Sequence, residues 1–344
     1  MGNLYKSIIS PVLFRIDPET IHDIVFSAVP ALRLLGGVAA ARLWAGQVSS
    51  HAPVNVAGLS FKNPIGLAAG FDKNALALDL FTALGFGHIE VGTVTIRPQS
   101  GNPRPRIFRL PQDQALINRM GFPSDGVEAV LPRLERWRSS NQDRPIIGVN
   151  IGKLKDTSLD DAAREYADLF ERVAPVADYV AINVSSPNTE QLRDLQQSER
   201  LRALLSEVTA RNARGVPIFL KLSPDLEAGQ LDDVLNVVAQ IPVAGVIATN
   251  TTLSRDGLSE ASAETGGLSG RPLAPRAIRV VRYCRQHLPA EKAVIGAGGV
   301  FDRSGYEQMK VAGAVLVQVY TGLIYQGPTL VHDLIANELQ TANL

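Results

Sequence analysis

Four strings concentrate the side chains best suited to chemistry: "GFDKN" around Lys73, "AINVSSPNT" at 181–189, "FLKLS" around Lys221 and "ATNTT" at 248–252. Amides and hydroxyls dominate them, two lysines add positive charge, and Asp72 is the one acid close by. An amide offers both a donor and an acceptor, whereas a charge is costly to bury without a partner. Such a set suits a flat ligand, rich in oxygen and nitrogen, that carries an anionic group. Other chemistries fit poorly. His22, His51, His88, His287 and His332 lack ligand spacing, and Cys284 is the sole cysteine, so no metal site is expected and no intrachain disulfide is possible. His88 begins its apolar run and the other histidines lie in helical or linker text, which argues against a Ser-His-Asp triad. "GAGG" at 296–299 lacks the full dinucleotide fingerprint, yet with "GGLSG" at 266–270 and the Tyr320–Thr321 pair it offers backbone N–H groups to a phosphate.

Positioning these strings is the task of a repeated phrase: an apolar run, a polar or glycine-rich end, then a helical stretch. Eight such runs begin at Pro64, His88, Pro145, Tyr179, Pro217, Gly245, Ala293 and Ala314. Apolar on both faces and separated by amphipathic segments, they predict parallel strands covered by helices. The fold expected is a (β/α)8 TIM barrel, with an open doubly wound sheet as the rival. The long stretch between the second and third runs, "SGNPRPRIFRLPQDQALINRMGF", is proline-rich and reads as a functional loop. Residues 1–45 depart from the rhythm and form a small N-terminal helical extension: Asp17 is an N-cap, Pro18 the first helical position, and Ile21, Ile24, Val25, Ala28, Leu32 and Leu35 share one face. The extension could cover the barrel's side or lie on a membrane surface; residues 46–344 form the barrel. Lys plus Arg and Asp plus Glu both total 34, so no overall field favours nucleic acid, and no apolar run approaches a membrane span. A cytoplasmic or peripheral protein is expected.

At "GLAAGFDKN", "EVGTVT", "INRMGF", "GVNIGK", "INVSSPNT", "ATNTT", "GGLSGRPL" and "GAGGV" the chain resembles the dihydroorotate dehydrogenases, over essentially its whole length. Members of that family are FMN-binding barrels that oxidise dihydroorotate to orotate in pyrimidine synthesis. The extension and the serine in "NVSSPNT" resemble the membrane-associated, quinone-reducing class (class 2), since the soluble class uses cysteine as base. The resemblance implies Ser186 as the base that removes the C5 proton while the C6 hydride moves to FMN. By alternation alone, Ser185 and Ser186 point to opposite faces, and the residues do not say which points inward. The resemblance further implies that Lys73, Asn118, Arg119, Met120, Gly121, Phe122, Asn183, Asn188, Asn250 and Thr251 bind the substrate. It assigns Ala69, Gly70, Thr93, Asn150, Asn183, Lys221, Thr249, Gly270, Gly299, Tyr320 and Thr321 to FMN. His22 and Arg109 would line the site of a ubiquinone or menaquinone. The location implied is the surface of a membrane, at the cytoplasmic face of a bacterial inner membrane.

Two departures stand out. Where the family has Pro-Gly after "SSPNT", this chain has Glu190-Gln191, and Pro123-Ser124 follows "INRMGF" where asparagine is usual. Two other readings remain at this stage: a flavin barrel that uses fumarate or a nicotinamide as acceptor, and a non-catalytic phosphate-ligand binder.

Overall fold

The computed structural model describes residues 4–46, 52–141, 144–189 and 191–336. Thirteen strands occur among them. They are β1 (Val54–Val56), β2 (Leu59–Phe61), β3 (Ile65–Leu67), β4 (His88–Val94), β5 (Ile107–Leu110), β6 (Ala115–Asn118) and β7 (Ile146–Ile151). There follow β8 (Tyr179–Asn183), β9 (Ile218–Leu222), β10 (Gly245–Ala248), β11 (Gly267–Gly270), β12 (Ala293–Ala297) and β13 (Leu316–Val319). Eight of these close a parallel barrel in the order β3-β4-β7-β8-β9-β10-β12-β13, and they coincide with the eight apolar runs. Closure excludes the open sheet.

Strand residues alternate between two environments. One parity, including Val180, Ile182, Leu220, Val246 and Val317, packs outward against the helices in the main core. The other parity fills the barrel with Tyr179, Ala181, Phe219, Ile247, Ile295 and Leu316. The hairpin β1–β2 contributes Val56 and Phe61 to this inner cluster and so helps close one end. Space is tight there: a Cβ on Gly66 would lie 1.9 Å from Nε2 of the buried His88, so the inward position of β3 has no room for a side chain.

The proline-rich stretch is not a plain loop. It contains the β5–β6 hairpin, and β11 adds to it as a third antiparallel strand, with Asn118 opposite both Ile107 and Gly267. "GGLSG", expected as a phosphate loop, is therefore mostly strand; only Ser269 and Gly270 of it reach the cavity described below.

The extension holds a π turn (Tyr5–Ile9), a short helix (Ser10–Leu13), the expected helix Pro18–Leu34, and a further helix Gly37–Ala45 that the sequence reading missed. Asp17 caps the long helix as anticipated, accepting from the Glu19 and Thr20 backbone N–H groups at 3.1 and 2.8 Å. Left-handed Gly36 then turns the chain by 105°. Only Glu19, Phe26, Val29 and Ala45 of these helices are buried. Leu34, Leu35 and Leu43 remain 88, 84 and 76% exposed, an apolar surface that packing leaves uncovered.

Candidate active site

Because Tyr179 and Ala181 point into the barrel, Asn183 does too, and by the same parity Phe219 brings Lys221 inward beside it; the two residues are register partners. Beneath them lies a polar layer that sequence reasoning missed. Glu90 of β4, fully buried, accepts from Gln318 Nε2 at 2.6 Å, Asn150 Nδ2 at 2.8 Å and Tyr179 O–H at 3.0 Å, and pairs with Lys221 Nζ at 3.3 Å. Burial pushes the Glu90 carboxyl up, but the Lys221 ammonium and the three hydrogen bonds hold it below the ordinary carboxylate range. Lys221 is thus no strand-end lysine reaching solvent. Asp72 is not the only nearby acid, because Glu90 sits in mid-strand, where counting strand ends does not look.

Above this layer is a cavity of about 160 Å³. It is lined by Ala69, Gly70, Lys73, Thr93, Asn118, Met120, Gly121, Phe122, Asn183, Ser186, Asn188, Lys221, Thr249, Asn250, Thr251, Gly270, Gly299, Tyr320 and Thr321. Two expected residues do not line it. Asn150 lies one layer below, its Oδ1 accepting from Thr93 Oγ1 at 2.6 Å and Asn183 Nδ2 at 3.1 Å. Arg119 turns away to pair with Glu264 at 2.6 Å and to cover the Phe108 ring at 4.4 Å, so its guanidinium is committed elsewhere.

The serine ambiguity is resolved by contacts. Ser185 is held inside the scaffold: its hydroxyl donates to Asn183 Oδ1 at 3.1 Å and accepts from Asn250 Nδ2 at 3.0 Å. Ser186 faces the cavity, and its Oγ accepts from the Asn188 backbone N–H at 3.2 Å. Arg193 fixes this strand end from behind, donating to the carbonyls of Ser185 at 3.1 Å and Thr251 at 3.2 Å while pairing with Asp225 at 2.9 Å. Thr189, three residues after Ser186, has a buried hydroxyl with no hydrogen-bond partner among the described residues. Glu190, the first of the departures, lies outside the described residues; Gln191 is left-handed at φ 54°. Lys73 lines the same cavity, and burial pushes its half-buried ammonium down to about 8; Glu19 and Asp72 pull it up while Arg106 adds to the lowering.

A second cavity, of about 240 Å³, opens between the extension and the barrel and is lined by apolar side chains with His22 and Arg109 among them. Tyr320, Ile107 and Leu116 line both cavities and so form the partition between them. His22 stacks on Phe26 and its Nε2 lies 2.8 Å from the Phe71 carbonyl, which makes Nε2 the protonated nitrogen. Burial and the nearby Lys73 charge lower its pKa to about 4, so the ring is neutral at pH 7. Arg109 donates to the Ile16 carbonyl at 2.6 Å and lies over the Phe14 ring.

Residues 51–342 match the family model for dihydroorotate dehydrogenase. The chain belongs to the dihydroorotate dehydrogenase family. Among curated relatives, the dihydroorotate dehydrogenase (quinone) of Clavibacter michiganensis subsp. michiganensis is 49% identical over 331 residues, covering 94% of this chain and 95% of its own. That of Roseiflexus castenholzii is 48% identical over 335 residues, covering 95 and 90%. A solved structure of DHODH from Eimeria tenella in complex with ferulenol superposes with a TM-score of 0.85 at 37% identity, covering 95% of this chain and 92% of that one. The dihydroorotate dehydrogenase fold accounts for the eight motifs: each sits at or near the cavity end of the barrel, six as strand ends and two in the three-stranded sheet beside it.

Proposed function

We propose that this chain oxidises (S)-dihydroorotate to orotate in pyrimidine synthesis, with FMN as resident cofactor and a membrane quinone, ubiquinone or menaquinone, as electron acceptor. The observation that carries the reading is the convergence of Lys73, Asn118, Asn183, Ser186, Asn188, Asn250 and Thr251 on one cavity that shares a wall with a second, apolar one.

The residues present fit FMN. At one end Thr93, Asn183 and Lys221 offer donors and a positive charge to a flat ring edge. Gln318 lines the same cavity, and its buried Oε1 has no partner among the described residues, so an acceptor is available to a ring N–H. At the other end Gly298 and Gly299 are left-handed at φ 127° and 73°, and a Cβ on Gly299 would meet Ala274 at 2.4 Å. Only glycine backbone fits there, and its N–H groups, with those opening the helix Thr321–Gln326, suit a phosphate. FMN held there would supply the hydride acceptor for C6 and a carrier of electrons to the quinone.

The protein supplies the rest. Asn118, Asn183, Asn188, Asn250 and Thr251 hold the pyrimidine ring, whose edge alternates C=O and N–H, and Lys73 pairs with its carboxylate. Ser186 takes the C5 proton at Oγ as its own proton leaves through neighbouring hydroxyls or water; a serine is a weak base unless that exit exists. Lys221, held by Glu90, keeps a positive charge at the ring edge where negative charge develops. At the second cavity, neutral His22 and the donors of Arg109 face a space whose lining is too apolar for fumarate or a nicotinamide and suits a quinone. Residues 1–45 then act as a quinone-access unit resting on the lipid surface, and residues 46–344 as the catalytic barrel. Among the described residues no single helix is long and apolar enough to cross a membrane, but the exposed leucines suit shallow insertion. The location proposed is the cytoplasmic face of a bacterial inner membrane.

Anaerobic titration tests this reading: dihydroorotate should bleach the flavin absorbance and a short-chain quinone should restore it. A colourless protein, or one that dihydroorotate does not bleach, would overturn it.

Lys73 makes orotate affinity pH-dependent. Its charge is present below about 8 and lost above, and a bound carboxylate raises its pKa further. The orotate Kd is therefore expected to be flat from pH 6 to 7 and to rise toward about tenfold per unit above pH 8. In Lys73→Gln, calorimetry should find weaker binding and no such rise.

A further inference from the structure

We propose that Arg106 is a positioning residue for the dihydroorotate site and that Glu19, on the extension helix, locks it in that role. The inference rests on the reading of the first cavity given above. Arg106 and Glu19 are both buried, although 87 residues separate them. Arg106 Nε and Nη2 donate to the Glu19 carboxylate at 3.0 and 2.7 Å, while Nη1 donates to the carbonyls of Ser100 and Asn102 at 2.6 and 2.7 Å. One guanidinium thus ties the helix Pro18–Leu34 to the segment before β5.

Asn102 carries the connection onward. Its Nδ2 donates to the carbonyls of Arg119 at 3.0 Å and Asn188 at 3.2 Å, and its backbone N–H donates to the Met120 carbonyl at 2.9 Å. Those carbonyls belong to two of the segments that supply the ring-binding amides, the ones carrying Asn118 and Asn188. Asn188 Nδ2 in turn donates to Asn118 Oδ1 at 3.1 Å, and the Asn188 backbone N–H donates to Ser186 Oγ. An unbroken set of contacts therefore runs from the acceptor-side helix to the proposed base. A buried ion pair adds little net stability over an apolar pair, but it fixes geometry, because a planar fork satisfies its carboxylate and both carbonyls in one orientation only. Lysine, with a single nitrogen, does not reproduce that fork.

The test uses the full FMN-loaded chain and the variants Glu19→Gln, Asn102→Asp and the double variant, with Asn102→Ser as the milder change should Asn102→Asp not fold. Calorimetric orotate Kd, the dihydroorotate KM and kcat, FMN content and melting temperature are measured. Expected are a rise of about tenfold in orotate Kd and dihydroorotate KM for the Asn102 variant, a smaller rise for Glu19→Gln, and unchanged FMN content. The double variant should resemble the Asn102 variant rather than the product of the two effects, because both act through one connection. Arg106→Lys should behave like Glu19→Gln. A lower melting temperature with an unchanged orotate Kd, or independent multiplying effects, would overturn the proposal in favour of a purely structural ion pair. If the parent chain itself fails to bind orotate, the site reading falls and takes this inference with it; if the parent binds and the variants bind equally well, only this inference falls.

Discussion

Ser186→Ala is expected to retain FMN and to bind orotate within a few fold of the parent, while flavin bleaching by dihydroorotate slows by roughly 10²–10⁴-fold, the usual contribution of a general base. The reason is local. Ser186 faces the cavity, and the contact recorded for its Oγ is with the Asn188 backbone N–H, so removing the hydroxyl frees one N–H and leaves the amide scaffold in place. Ser185→Ala is the control. Its hydroxyl links Asn183 and Asn250 and makes no approach to the cavity, so losing it should cost about 1 kcal/mol of scaffold order and a modest rise in dihydroorotate KM. Stopped-flow reduction under anaerobic conditions separates the two. Equal slowing in both variants, or near-parent reduction in Ser186→Ala, would remove Ser186 from the chemistry.

Val25→Trp is expected to raise the quinone KM or lower quinone turnover by at least about tenfold, with bleaching by dihydroorotate within twofold of the parent. Val25 lines the second cavity from the extension helix and is 39% exposed, so an indole there fills the access path and leaves the barrel untouched. A steady-state assay with a soluble quinone, run beside the single-turnover measurement, checks both halves. Undiminished quinone turnover would show that the acceptor enters elsewhere. Deleting residues 1–45 looks simpler but is a poorer test. It would strip Glu19 from buried Arg106, and an ion pair broken on one side costs about 3–5 kcal/mol. Both half-reactions would then change together.

The chain announces some of these features locally and hides others. Runs that are apolar on both faces, each ending in polar or glycine residues, are written within eight or so consecutive positions, so the eight barrel strands and the rim they feed were legible. The Asp17–Pro18 start of the long extension helix was legible for the same reason, since an N-cap acts over three residues. The β5–β6–β11 sheet was not: β11 pairs with a strand about 150 residues earlier, and nothing near Gly267 signals that partner. Arg119 looked like part of a binding string, yet its guanidinium is taken by Glu264 and Phe108. Glu90 was invisible as a site residue because its partners Asn150, Lys221 and Gln318 lie 60, 131 and 228 residues away.

By itself, then, the sequence determined the number of barrel strands, their polar ends and the family they belong to, because short-range periodicity and motif order are properties of neighbouring residues. Only the tertiary structure decided that Ser186 rather than Ser185 meets the cavity, that Lys221 rests on a buried carboxylate, and that the extension reaches the substrate site through Glu19 and Arg106. Those outcomes depend on how the barrel closes and on where strand parity aims each side chain. Closure brings together groups that no local pattern relates.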